Sequence, residues 1–86
     1  MTAVSIALPE SLDFDAAGPL LDQIKSAKGA DLELNASRVS RLGVACLQVM
    51  LSAEKTWREE GHALRLTERS PAIDDFLRLM GADLPA

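Results

Sequence analysis

Residues 31–53 read DLELNASRVSRLGVACLQVMLSA, and the order of polar and apolar residues in them decides the fold. Asp31-Leu32-Glu33-Leu34 alternates with a period of two, which puts both leucines on one face of a strand. Asn35-Ala36-Ser37 has the small polar residues of a turn. Val39 to Leu42 carries no clear period and predicts an irregular segment or a short turn. From Val44 to about Glu59 apolar residues return at helical spacing. Val44, Ala45, Cys46, Leu47, Val49, Met50 and Leu51 make the first half apolar nearly all round, and the stripe narrows to Ala53 and Trp57. Such a helix is expected to be covered on more than one side. Glu54 and Arg58 are spaced to pair at i,i+4, and Gly61 ends the helix.

The same alternation of elements extends in both directions. Val4-Ser5-Ile6-Ala7-Leu8 alternates and stops at Pro9, as a short strand would, and Pro9-Glu10-Ser11 reads as a loop. Asp13 or Asp15 caps a helix whose inner face is Phe14, Ala17, Leu20 or Leu21, Ile24 and Ala27. Pro19 is tolerated only in a first turn, so the regular part begins nearer Asp15 than Asp13. Lys25 and Lys28 suit the negative end of that helix, and Gly29 caps it. Beyond Gly61, Ala63-Leu64-Arg65-Leu66-Thr67 predicts a third strand. Ser70-Pro71 is a strong helix start, Ile73, Phe76, Leu77 and Met80 form its inner face, and Gly81 closes it. Strand and helix therefore alternate three times. The expectation is a small α/β fold: a single-layer, mostly parallel sheet with right-handed crossovers, packed by about three helices.

The 86 residues fit one small domain, 1–86, whose core is just large enough for independent folding. Thirteen acidic against nine basic side chains (net charge −4) argue against generic binding to nucleic-acid phosphates. No apolar run reaches the roughly 20 residues of a membrane span. The first residues lack a basic, then apolar, signal segment, so a cytoplasmic location is expected. Cys46 is the only cysteine and His62 the only histidine, which makes neither a disulfide nor a zinc site. Phosphate-binding glycine loops and metalloprotease motifs are absent from the sequence. Catalysis, a metal and a cofactor are not expected.

The ordered set LELNASRVSRL, apolar helix, GHALRL and SPAIDDFLRLMGA resembles a STAS domain, the fold of anti-sigma-factor antagonists. The likeness runs from about Leu12 to Ala82. It rests on Ser70-Pro71, Leu77 and Gly81, with Gly61 and the Leu64/Leu66 strand at the expected spacing. In that family the turn before the second helix reads Ile-Asp-Ser-Ser-Gly-Leu and carries a phosphorylated serine or threonine. The resemblance places Gly43 where the Asp stands, Val44 at the phosphoacceptor and Cys46 where the Gly stands. A phosphate there would break a contact by repulsion, and Val44 cannot carry one. The resemblance thus implies a non-enzymatic module that binds a protein partner constitutively, or is regulated elsewhere. LPESLDF, RLGVACLQVMLSA and TWREEGHAL also look like the small chemotaxis-operon STAS proteins of alphaproteobacteria. That likeness implies a histidine kinase as partner; anti-sigma (serine) kinases, lipid-transport assemblies and small ligands such as nucleotides are the alternatives.

The partner-binding residues expected from this are Arg38, Arg41, Gly43, Val44 and Ala45. Arg38 and Arg41 either steer an acidic partner surface or are solvated loop arginines. Cys46 could be activated by the helix N-terminus, but its apolar neighbours favour core packing. Ser37 and Ser40 read as turn formers rather than substitute phosphosites. Trp57 reads as a core residue ahead of an interface anchor, and His62 as a solvated loop residue.

Overall fold

Leu32 and Leu34 occupy the middle of the fold, flanked by Leu64 and Leu66. The computed structural model describes residues 3–86; Met1 and Thr2 of the expected 1–86 domain lie outside them. The elements run β1 (Val4–Ala7), β2 (Ser11–Leu12), a one-turn 3-10 helix (Phe14–Ala16), α1 (Ala17–Ser26), β3 (Leu32–Asn35), β4 (Arg41–Leu42), α2 (Val44–Glu59), β5 (Leu64–Thr67) and α3 (Pro71–Leu79). Strands β1, β3 and β5 form a parallel sheet in that spatial order, with Val4 beside Leu32 and Leu32 beside Leu64. This is the expected small α/β architecture with three helices.

The period of two sorts the sheet into a dry face and a wet one. All four leucines are 0–1% exposed. Burying each contributes about 2 kcal/mol relative to leaving it in water. The intervening residues Glu33, Asn35, Arg65 and Thr67 are exposed or half-buried, as are Ser5 and Ala7 in β1. The helices therefore cover only the leucine face, supplying Leu20 and Ile24 from α1, Leu47, Met50 and Trp57 from α2, and Ile73 and Leu77 from α3. On the open face Arg65 pairs with Glu33, its register neighbour on β3.

Helix α2 spans the expected residues, and Trp57 at its last buried turn is 3% exposed. The Trp57 indole Nε1–H donates to the Ala30 carbonyl at 2.8 Å, so this tryptophan is core. In α3 the Ser70 hydroxyl accepts from the Ile73 N–H at 3.3 Å and Pro71 holds the first turn. Two expected core residues are corrected. Met80 is 43% exposed because α3 ends at Leu79 and the chain turns away at Gly81, whose φ is +67°. Phe14 is 81% exposed, because it lies in the 3-10 turn. A 3-10 turn advances about 120° per residue, so its side chain leaves the stripe that α-helical spacing assigns it. Pro19 falls at the third position of α1, inside the first turn where its missing N–H costs nothing.

Beyond α3 the chain returns along β5. The Leu66 N–H donates to the Pro85 carbonyl (2.8 Å), Arg69 Nη1 donates to the Leu84 carbonyl (2.8 Å), and Leu84 is buried. Among the described residues, no helix is long and apolar enough to cross a membrane.

Candidate functional site

The segments expected to be a loop (Pro9–Ser11) and irregular (Val39–Leu42) zip together beside the main sheet. Ser11-Leu12 and Arg41-Leu42 form a two-residue parallel ladder, β2 with β4. The Glu10 carbonyl accepts from the Ser40 N–H (2.8 Å), the Arg41 N–H (3.2 Å) and the Ser40 hydroxyl (3.3 Å). The Gly43 N–H donates to the Leu12 carbonyl at 2.9 Å. Ladders this short escape periodicity; the only signal was Leu12, an isolated leucine that proves to be 1% exposed. Together these bonds fix the entry of α2.

Gly43 is the N-cap of α2 in extended conformation, and its carbonyl accepts the first helical bond from Leu47. It offers no side-chain cap to the N–H groups that follow, so the positive end of the helix dipole is not neutralised from this position. The site is also close-packed: a Cβ on Gly43 would lie 3.2 Å from the Leu12 carbonyl oxygen and 3.9 Å from Asp13 Cα. Val44, the first helical residue, is 50% exposed, and Ala45 is half-buried. One turn in, Cys46 is fully buried and its thiol donates to the Asp13 carbonyl at 3.3 Å. Burial, and then the nearby Asp13 carboxylate, pushes the Cys46 thiol above its ordinary value. This holds the thiol in its protonated form, packed in the core.

Arg41, Gly43, Val44 and Ala45 follow one another at the entry of α2, with Arg41 and Val44 exposed and Gly43 and Ala45 half-buried. Arg38 also lies beyond the C-terminal end of β3, but it borders a separate crevice of about 290 Å³ with Leu8, Pro9, Pro19 and Gln23. Neither arginine has an ion-pair partner among the described residues. Ser37 donates its N–H to Asn35 Oδ1 (2.9 Å), which closes the turn after β3 as expected. His62 is half-buried rather than free in solvent, with Nδ1 3.5 Å from Asp31 Oδ1. Asp13 caps the 3-10 turn, its Oδ1 accepting from the Ala16 N–H at 3.2 Å.

Phe14 is the residue that sequence reading placed wrongly and that matters most for the surface. The 3-10 turn that carries Phe14 packs against α2, and the ring itself is exposed. The arrangement is an apolar and basic patch, and the one thiol in α2's first turn, Cys46, is buried beneath it. Among the described residues no group of histidine, cysteine, aspartate or glutamate side chains could hold a metal ion.

A family model described as "Mlab, STAS domain" matches residues 2–84. No curated protein matches the chain. STAS domains are in general non-enzymatic modules that act through protein–protein contact. With nearly its whole length matched, and with a parallel sheet and helix order of the expected kind, the chain belongs to the STAS family.

Proposed function

We propose that this STAS domain docks a signalling histidine kinase of the chemotaxis type through the start of α2, and so tunes phosphate flow through its relay. Arg41, Gly43, Val44 and Ala45 form the contact and Phe14 extends it, while Arg38, on the neighbouring crevice, adds positive charge at the same end of the sheet. The observation that carries this reading is Val44. It stands exposed where the family resemblance puts the phosphoacceptor, and its isopropyl group offers no oxygen to phosphorylate. Contact here is constitutive, because the charge that would repel a partner cannot be added. The positive helix end and the two arginines favour an acidic partner surface.

The test is capture of partners from native lysate on the immobilised chain, compared with an Arg41→Glu/Val44→Asp double variant. An aspartate at the first helical position suits the dipole, so the variant folds. The proposal expects a histidine kinase with chemotaxis proteins on the wild-type chain and its loss on the variant. An anti-sigma kinase or a transporter ATPase in its place would keep the surface and replace the pathway. Complexes left intact by the double variant would refute the surface itself.

A further inference from the structure

The two edges of the main sheet are treated differently. On the β5 edge the returning C-terminal segment supplies a carbonyl to the Leu66 N–H, and Arg65 places a charge on the strand. These are the devices by which proteins keep edge strands from pairing with other chains. On the other edge β1 pairs only with β3 among the described residues. It carries no charge, no proline and no bulge between Val4 and Ala7. In a parallel pair, alternate residues direct both backbone groups to the neighbour. Val4 and Leu8 donate to Asp31 and Asn35 of the adjacent chain segment, so Val4, Ile6 and Leu8 face inward. Ser5 and Ala7 therefore turn two N–H and two C=O groups outward, at a strand whose side chains Val4, Ser5 and Ala7 are exposed.

That edge is self-complementary. We propose that it pairs with β1 of a second copy of this chain, antiparallel, about a two-fold axis at Ile6. Ser5 then lies opposite Ala7 of the second copy and exchanges both backbone hydrogen bonds with it, and the axis repeats the exchange, giving four bonds. On the leucine face Ile6 meets Ile6 and Val4 meets Leu8, which covers the two β1 side chains left partly open where the sheet stops. On the wet face only Ser5 and Ala7 meet, so no like charges face each other. The result is a continuous six-stranded sheet. Because the central strands run in opposite directions, the α2 entry turns of the two copies lie at opposite ends of the dimer, free to engage two partners.

The register makes a sharp test. The purified chain is run by sedimentation equilibrium from micromolar to millimolar concentration, beside a Ser5→Lys/Ala7→Lys variant and a Ser5→Lys/Ala7→Glu variant. Both positions are exposed, so both variants fold, which unchanged Trp57 emission verifies. The pairing expects wild type at twice the 9.2 kDa chain mass, the Lys/Lys variant monomeric because lysine faces lysine twice, and the Lys/Glu variant dimeric because lysine faces glutamate twice. A wild type that stays monomeric throughout overturns the proposal. So does a Lys/Lys variant that still dimerises, or a Lys/Glu variant that dissociates as readily as Lys/Lys.

Discussion

The Cys46 thiol donates to the Asp13 carbonyl across 33 positions of chain and ties the start of α2 to the turn that opens α1. The sulfur is fully buried, so its removal leaves a small void and an unmade bond. Cys46→Ala is expected to cost about 1–2 kcal/mol, read as a lower urea midpoint at unchanged slope. The raised thiol pKa adds a pH signature. In alkaline solution the unfolded thiol ionises first and the folded one later, so the unfolded state binds fewer protons. Stability falls as pH climbs from the ordinary thiol range to the folded value. Cys46→Ala removes that portion of the slope; an identical alkaline slope in the variant would contradict the assignment.

Trp57 is the only tryptophan, and its indole is tied to the Ala30 carbonyl in the loop between α1 and β3. Trp57→Phe keeps most of the ring packing and leaves that carbonyl unpaired. A loss of about 1–3 kcal/mol is expected, measured by thermal unfolding. Wild-type emission is expected to be blue-shifted and to move red on unfolding.

Glu68 has a φ of +56°, the left-handed region that costs a side-chain-bearing residue roughly 1–2 kcal/mol. It sits in the loop between β5 and the Ser70 cap, with an exposed side chain. Glu68→Gly relieves that cost, at the expense of greater freedom in the unfolded chain. The expected net result is a gain of up to about 1 kcal/mol in unfolding free energy; a clear loss in chemical denaturation would contradict it.

Phe14 separates docking from stability. With its ring already in water, Phe14→Ser is expected to change stability by no more than about 0.5 kcal/mol. As an aromatic anchor of the proposed contact its loss is expected to weaken the partner complex about tenfold or more. Titration calorimetry with the captured kinase reads the second effect and urea unfolding the first. A large stability loss with unchanged affinity would make it a packing residue after all.

Periodicity was enough for the parts of the fold that repeat. Leu32/Leu34 and Leu64/Leu66 announced the strands, the apolar run from Val44 announced α2 and its bounds, and Ser70-Pro71 announced α3. It failed where structure is made by single bonds. The β2–β4 ladder has two residues per strand, too few for any period, and its bonds to the Glu10 and Leu12 carbonyls involve backbone that every residue carries. Phe14 failed for a related reason: the i, i+3 spacing assumed α geometry, and the chain makes a 3-10 turn until Ala17. The proposed site rests on family likeness, which puts Val44 at the phosphoacceptor position. That Arg38 borders a different crevice from the α2 entry depends on how the β3 turn folds back, which no local pattern encodes.

The proposed contact surface is the start of α2. The most direct measurement is amide chemical-shift mapping of the isotope-labelled chain as the captured kinase is added. The account predicts that the largest changes fall on Arg41 to Cys46 and on Phe14, with the wet face of the sheet around Glu33 and Arg65 unmoved. Changes concentrated on α3 or on that sheet face, with Val44 and Ala45 unshifted, would contradict it.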